Sequence, residues 1–159
     1  MKNPSIGQES MPEQKPYFDR CLELAAQAFS LGEVPIGAVL VKDQKVIAEG
    51  YNQTETQGCF TAHAEILIIQ QATQTLKTKY LNGCELFVNL EPCPMCRAAL
   101  QLSRVNRVHF LLPSEKFGEK GAALHAIEIE PAHTEAFSEE REKSKQLLAD
   151  FFEMKRRRS

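Results

Sequence analysis

A chain of 159 residues with 43 % hydrophobic and 25 % charged side chains has the make-up of one globular domain and excludes a fibrous or wholly disordered protein. Its net charge of −2 gives no global attraction to polyanions, so any nucleic acid must meet a local basic patch. No run approaches the ~20 apolar residues of a membrane span, and the chain opens without a charged segment followed by an apolar one. Five cysteines, an odd count, point to reduced thiols and a cytoplasmic setting.

Residues 1–15 are polar and interrupted by Pro4, Gly7 and Pro12, which reads as a disordered tail ahead of a single domain over 16–159. From Pro16, the spacing of Cys21, Leu24, Ala25, Ala28 and Phe29 predicts a helix that Gly32 ends. Ile36 to Val41 reads as a buried strand, and Asp43-Gln44-Lys45 as the turn into a second strand through Ile47. A polar linker over Asn52 to Gly58 precedes a helix over Ala62 to Lys77, with Ile66, Ile69 and Gln70 on one side. Leu86 to Leu90 is a short strand, Pro94 to Leu102 a helix with proline at its favoured first position, and Val105 to Leu112 another strand. A helical turn is expected over Gly121 to Ala126. The last helix runs from Ser138 to Arg156, with Leu147, Leu148, Phe151 and Phe152 toward the core. Strands alternating with helices after a hairpin indicate a three-layer α/β/α sandwich on a mixed, about five-stranded sheet.

Two stretches carry chemistry: His63-Ala64-Glu65 and Pro92-Cys93-Pro94-Met95-Cys96. Cys93 and Cys96, three apart, fall on one helical face, and a helix N-terminus favours the thiolate form that binds metal. One imidazole and two thiolates make three zinc ligands, the number that leaves a position open for water, with Glu65 as a candidate proton carrier. Spacing alone leaves a second reading open. Cys59 with His63, Cys93 and Cys96 would form a closed Cys₃His structural site, as in a non-enzymatic, zinc-stabilised RNA-binding domain. His109, His125 and His133 lack partners at metal spacing, and Cys21 and Cys84 read as small core residues.

The pair His-x-Glu and Pro-Cys-x-x-Cys resembles the signature of zinc-dependent nucleoside and nucleobase deaminases. The stretches Glu33 to Val41, Gly50-Tyr51-Asn52, Thr61 to Glu65, Leu90 to Cys96 and Leu147 to Phe152 are similar to the bacterial tRNA-specific adenosine deaminases. The resemblance implies one zinc ion per subunit on His63, Cys93 and Cys96, with Glu65 as the catalytic proton shuttle. It further implies Asn52 and the Ala64 amide in the substrate pocket. The implied reaction replaces the exocyclic amine of a base by water, on adenosine at the wobble position of a tRNA anticodon loop. It implies a homodimer as well. A guanine, other nucleobase or nucleoside deaminase is the alternative enzyme, because Pro94-Met95 between the cysteines suits both.

The C-terminal Phe151, Phe152, Lys155, Arg156 and Arg157 read either as a solvated helix end or, with the resemblance, as RNA contacts. Three places depart from the family pattern: Cys59-Phe60 stands where Asp-Pro is usual, Arg97-Ala98 follows the last cysteine, and Leu111 to His133 differs in character. The long Arg97 cation has three possible roles there: touching phosphate, reshaping the pocket or pointing to solvent.

Overall fold

The computed structural model describes residues 11–116, 128–132 and 135–159. The expected helical turn over Gly121 to Ala126, and His125 and His133, lie outside the described residues. Helix α1 (Met11–Ser30) is followed by strands β1 (Gly37–Lys42) and β2 (Lys45–Tyr51), then by α2 (Thr54–Gln57) and α3 (Ala64–Leu76). Next come β3 (Cys84–Leu90), α4 (Pro94–Leu102), β4 (Arg107–Leu112), β5 (Glu128–Pro131) and α5 (Ser138–Arg158).

The strands form one sheet in the order β2-β1-β3-β4-β5. β1 pairs antiparallel with both β2 and β3, whereas β3–β4 and β4–β5 are parallel. The sheet is therefore mixed and five-stranded, as the sequence indicates. Asp43 and Gln44, at φ 49° and 63°, make the two-residue turn between β1 and β2; two positive φ values give the turn whose twist suits a hairpin.

Alternation along the central strands splits the core into two layers. Ala38, Leu40, Leu86, Val88 and Phe110 face Ile68 and Ala72 of α3 and Leu100 of α4. Val39, Val41, Phe87 and Leu111 face Phe18 and Cys21 of α1 on the other side, with Phe137 at the start of α5. Cys21 and Cys84 are both buried, as expected.

Four details differ from the sequence reading. α1 begins at Met11, so residues 11–15 are helical and Pro16 lies inside the helix, where it removes a backbone donor. Lys15 supplies the compensation. Its Nζ lies 2.9 Å from Asp19 Oδ2 and 2.7 Å from Oε1 of the buried Glu140, joining α1 to α5. The polar linker after Asn52 contains the single-turn α2, whose Thr56 and Glu55 amides donate to the buried Glu33 carboxylate at 2.5 and 3.1 Å. On α3 the buried stripe is Ala64, Glu65, Ile68 and Ala72 rather than one centred on Ile66. On α5 it is Glu140, Ser144 and Phe151, so Phe152, expected toward the core, turns outward and is 48 % exposed.

Asn89 locks these layers together. It accepts from the Gly37 amide at 2.9 Å and donates to the Pro35 carbonyl and to Ser144 Oγ, both at 3.0 Å. The end of β3 is thus tied to β1 and to α5 immediately before the Pro92-Cys93-Pro94-Met95-Cys96 stretch begins.

Candidate metal and catalytic site

Helices α3 and α4 start beside the same end of β3, and each starts on a candidate ligand. His63 is the N-cap of α3 (φ −72°, ψ 151°) and Cys93 the N-cap of α4 (φ −68°, ψ 167°). N-cap side chains ordinarily bond to the free amides of the first turn; neither does so here, which leaves imidazole and thiol for another partner. Their backbone carbonyls still begin the helices, accepting from Leu67 and Arg97 at 3.0 and 2.9 Å. Pro94 fills the first position of α4, where a missing N–H leaves no bond unmade.

The three side chains converge. His63 Nδ1 lies 3.7 Å from Cys93 Sγ and 3.5 Å from Cys96 Sγ. All three ligand atoms fall within 4.8 Å of one another. A tetrahedral zinc with ordinary bond lengths needs sulfur–nitrogen separations of about 3.6 Å, so the donor set and its spacing fit that ion. Cys59 is exposed, and its Sγ is 3.3 Å from Thr61 Oγ1, outside the ligand group. The closed Cys₃His reading, and the non-enzymatic zinc domain built on it, therefore lose their fourth ligand among the described residues.

Protonation follows the same geometry. The bond from Cys96, reinforced by His63, pulls the Cys93 thiol down to about 4 against the effect of burial. Cys96, as donor to Cys93 and buried beside Glu65, is pushed up. The pair thus holds one proton where a metal would replace it. His63 is raised, chiefly by its bond to Cys93.

Glu65, in the first turn of α3, is 3 % exposed and accepts from Cys96 Sγ at 3.6 Å. Burial, the dominant cause, raises its pKa above the ordinary carboxylate value.

Asn52 is buried at the end of β2, and its Oδ1 accepts from the Ala64 amide at 2.9 Å. That bond supplies from outside the cap that His63 does not make. Of the two candidate pocket groups, the Ala64 N–H is therefore engaged with Asn52. Arg97 is partly buried and tied within its own loop: its Nη2 donates to Glu91 at 2.7 Å and its Nε to the Pro92 carbonyl at 3.2 Å. Glu91, spaced six residues from Arg97 across a loop, gave no periodic signal in the sequence. His109 bonds Glu85 at 2.7 Å and stacks on Phe87, away from the ligands.

At the C-terminus the candidate RNA residues separate. Phe151 is 2 % exposed and packs edge-on against Phe29, so it offers no ring to RNA. Phe152, Lys155, Arg156 and Arg157 are exposed, although Arg157 pairs with Glu153 at 2.6 Å. Among the described residues no helix is long and apolar enough to cross a membrane.

A family model described as MafB19-like deaminase matches residues 12–156. A tRNA-specific adenosine deaminase of Aquifex aeolicus is 42 % identical over 142 residues, covering 87 % of this chain and 93 % of the relative. A solved structure from a study of A-to-I editing by tRNA:A34 deaminases at the wobble position superposes with a TM-score of 0.70 at 36 % identity, over 75 % of this chain and 98 % of its own. The guanine deaminase of Bacillus subtilis superposes with a TM-score of 0.60 at 37 % identity, over 62 % and 64 %.

Proposed function

Because the chain belongs to the MafB19-like deaminase family, we propose that it is a zinc-dependent hydrolase converting adenosine to inosine at the wobble position of a tRNA. The observation that carries the chemistry is the His63, Cys93 and Cys96 triad with the buried Glu65 carboxyl touching one of its sulfurs. The similarity to tRNA-specific adenosine deaminases over most of both chains supports the substrate.

His63, Cys93 and Cys96 would hold the zinc ion, which when bound supplies a Lewis acid that brings the pKa of a water toward about 7. Glu65 moves the protons. It takes one proton from the attacking water and passes it to the ring nitrogen, then takes the second from the newly added hydroxyl and passes it to the departing amine, so that water and adenosine give inosine and ammonia. Asn52 orients: with Oδ1 engaged by the Ala64 amide, its Nδ2 is left to donate to the base. An anticodon loop presents its bases unpaired, so an adenine can enter such a pocket without opening a duplex. A homodimer in the cytoplasm belongs to the same reading and is supported by the resemblance.

The test uses zinc-loaded protein with an anticodon stem-loop bearing adenosine, and separately with guanine, cytosine, adenosine and cytidine. Inosine in the RNA and matching ammonia are expected. Ammonia from guanine with the RNA unchanged would transfer the reading to guanine deamination, the activity named for the Bacillus subtilis enzyme that is 37 % identical over 62 % of this chain. Glu65→Ala is expected to lower kcat by at least about 100-fold with zinc content retained, and an active variant would overturn its role.

A further inference from the structure

Phe60 is the most exposed large apolar side chain among the described residues, at 82 %. Single exposed apolar residues are ordinary on a protein surface; the place and the fixation of this one are not. Its ring centroid lies 6.0 Å from that of His63 at an interplanar angle of 53°, which puts it on the rim of the ligand cluster. The backbone that carries it is pinned on both sides. The Cys59 amide donates to the Thr54 carbonyl at 3.0 Å, the Ala62 amide to Cys59 at 3.1 Å, and the Gln53 amide to Ala62 at 2.9 Å. A backbone so tied fixes where the side chain emerges, and the exposed ring of Phe60 presents an aromatic face to solvent beside the ligand cluster.

We propose that Phe60 is the platform on which the nucleotide next to the reacting base stacks, a substrate-binding residue for single-stranded RNA that a free nucleobase does not use. The inference rests on the RNA reading given above. A base held against His63 and the two cysteines leaves only its immediate neighbour within reach of Phe60. Single-stranded RNA is recognised largely by stacking of splayed bases on aromatic side chains, for which one fixed ring suffices. The surroundings favour this occupant over a second copy of the chain. The core of a protein interface gathers several apolar side chains, whereas the exposed residues flanking Phe60 in the chain, Glu55, Thr56, Gln57, Gly58, Cys59 and Thr61, include no other large apolar side chain.

The experiment compares zinc-loaded wild-type protein with Phe60→Leu and Phe60→Trp on the anticodon stem-loop. Phe60→Leu is expected to raise KM about 5- to 100-fold, the loss of one stacked base, with kcat at saturating RNA, zinc content and melting temperature unchanged. Phe60→Trp, which keeps a stacking face, is expected to restore KM. An active Phe60→Leu with the wild-type KM overturns the platform alone. Dissociation of Phe60→Leu from dimer to monomer also overturns it, assigning the ring to a subunit contact. Wild-type protein that releases ammonia from guanine and leaves the RNA unchanged overturns the RNA reading, and the platform with it.

Discussion

Arg97 joins two parts of the loop that carries the candidate cysteine ligands through one planar group. Its Nη2 bonds the Glu91 carboxylate at 2.7 Å and its Nε the carbonyl of Pro92, one residue before the first candidate cysteine ligand. Two donors in a fixed fork do this better than one ammonium could. Removing the guanidinium leaves Glu91, almost fully buried, without its cation. Arg97→Ala is therefore expected to destabilise the protein by about 1.5–3 kcal/mol and to weaken zinc binding. Arg97→Lys should recover only part of both, as read by denaturant unfolding and competition with a chelating dye. Equal zinc affinity in all three proteins would show that the loop holds its shape without the clamp. Asn52 poses a different question, because its oxygen caps α3 while its nitrogen is the proposed base contact. Asn52→Asp keeps the acceptor and removes the donor. It should retain most of the stability and lose roughly 10-fold or more in kcat/KM, at about 1.4 kcal/mol per tenfold. If kcat/KM is unchanged, Asn52 is a cap and nothing else. The two residues differ in how far the sequence could have foretold them. The resemblance singles out Asn52, whereas Arg97 reads as a cation for phosphate, a residue that reshapes the pocket or a solvated side chain until its contact with Glu91 is seen.

At the scale of elements, the candidate site depends on two helices whose N-caps, His63 and Cys93, are candidate ligands. Capping preferences would name neither start, since His and Cys are poor caps; even so, Pro94 and the ligand spacing placed α4 at Pro94–Leu102, as found. Strands dense in β-branched and apolar residues were legible for the same reason, with ends displaced by a residue or two. β5 was not, because it is a four-residue edge strand with mostly exposed side chains and carries no apolar alternation. The upstream turn of α1 was hidden by Pro16 and depends on Lys15 reaching Glu140, a contact 125 residues distant. Burial of α1 on β1 also dictates one residue that composition does not explain. A Cβ on Gly37 would lie 2.1 Å from the Cys21 carbonyl oxygen, 2.7 Å from Leu24 Cβ and 2.8 Å from the Ala25 amide nitrogen. Two of these are backbone atoms, so the helix must move as a body. Gly37→Ala is expected to destabilise by about 3 kcal/mol or more, visible as a lowered melting temperature. A fall of under about 1 kcal/mol would mean that α1 rides more loosely on the sheet than its packing shows.

For the molecule as a whole, charge separates the two kinds of substrate. A net charge of −2 gives a long RNA little reason to approach, whereas a free base is indifferent to it. What the surface offers is a local concentration of cations at the end of α5: Lys155, Arg156, Arg157 and Arg158, all exposed. They suit the negative end of the helix dipole, and Arg157 also faces Glu153, so part of their charge is already answered within the helix. If their role ends there, removing residues 153–159 leaves RNA binding untouched. If they meet phosphates, each contact released should flatten the dependence of log K on log salt by about 0.7 for single-stranded RNA or 0.9 for a duplex stem. With up to four cations lost, one of them shared with Glu153, the slope should fall by about 2–3. Turnover of any free nucleobase should not change, because the candidate ligands and Glu65 sit at the starts of α3 and α4 and none lies on α5. Phe151 must be kept in the shortened chain, since its buried ring belongs to the core and its loss would report folding instead of binding. Titration of a labelled stem-loop across a salt series reads the slope directly. An unchanged slope with wild-type stability assigns the tail to the helix end alone.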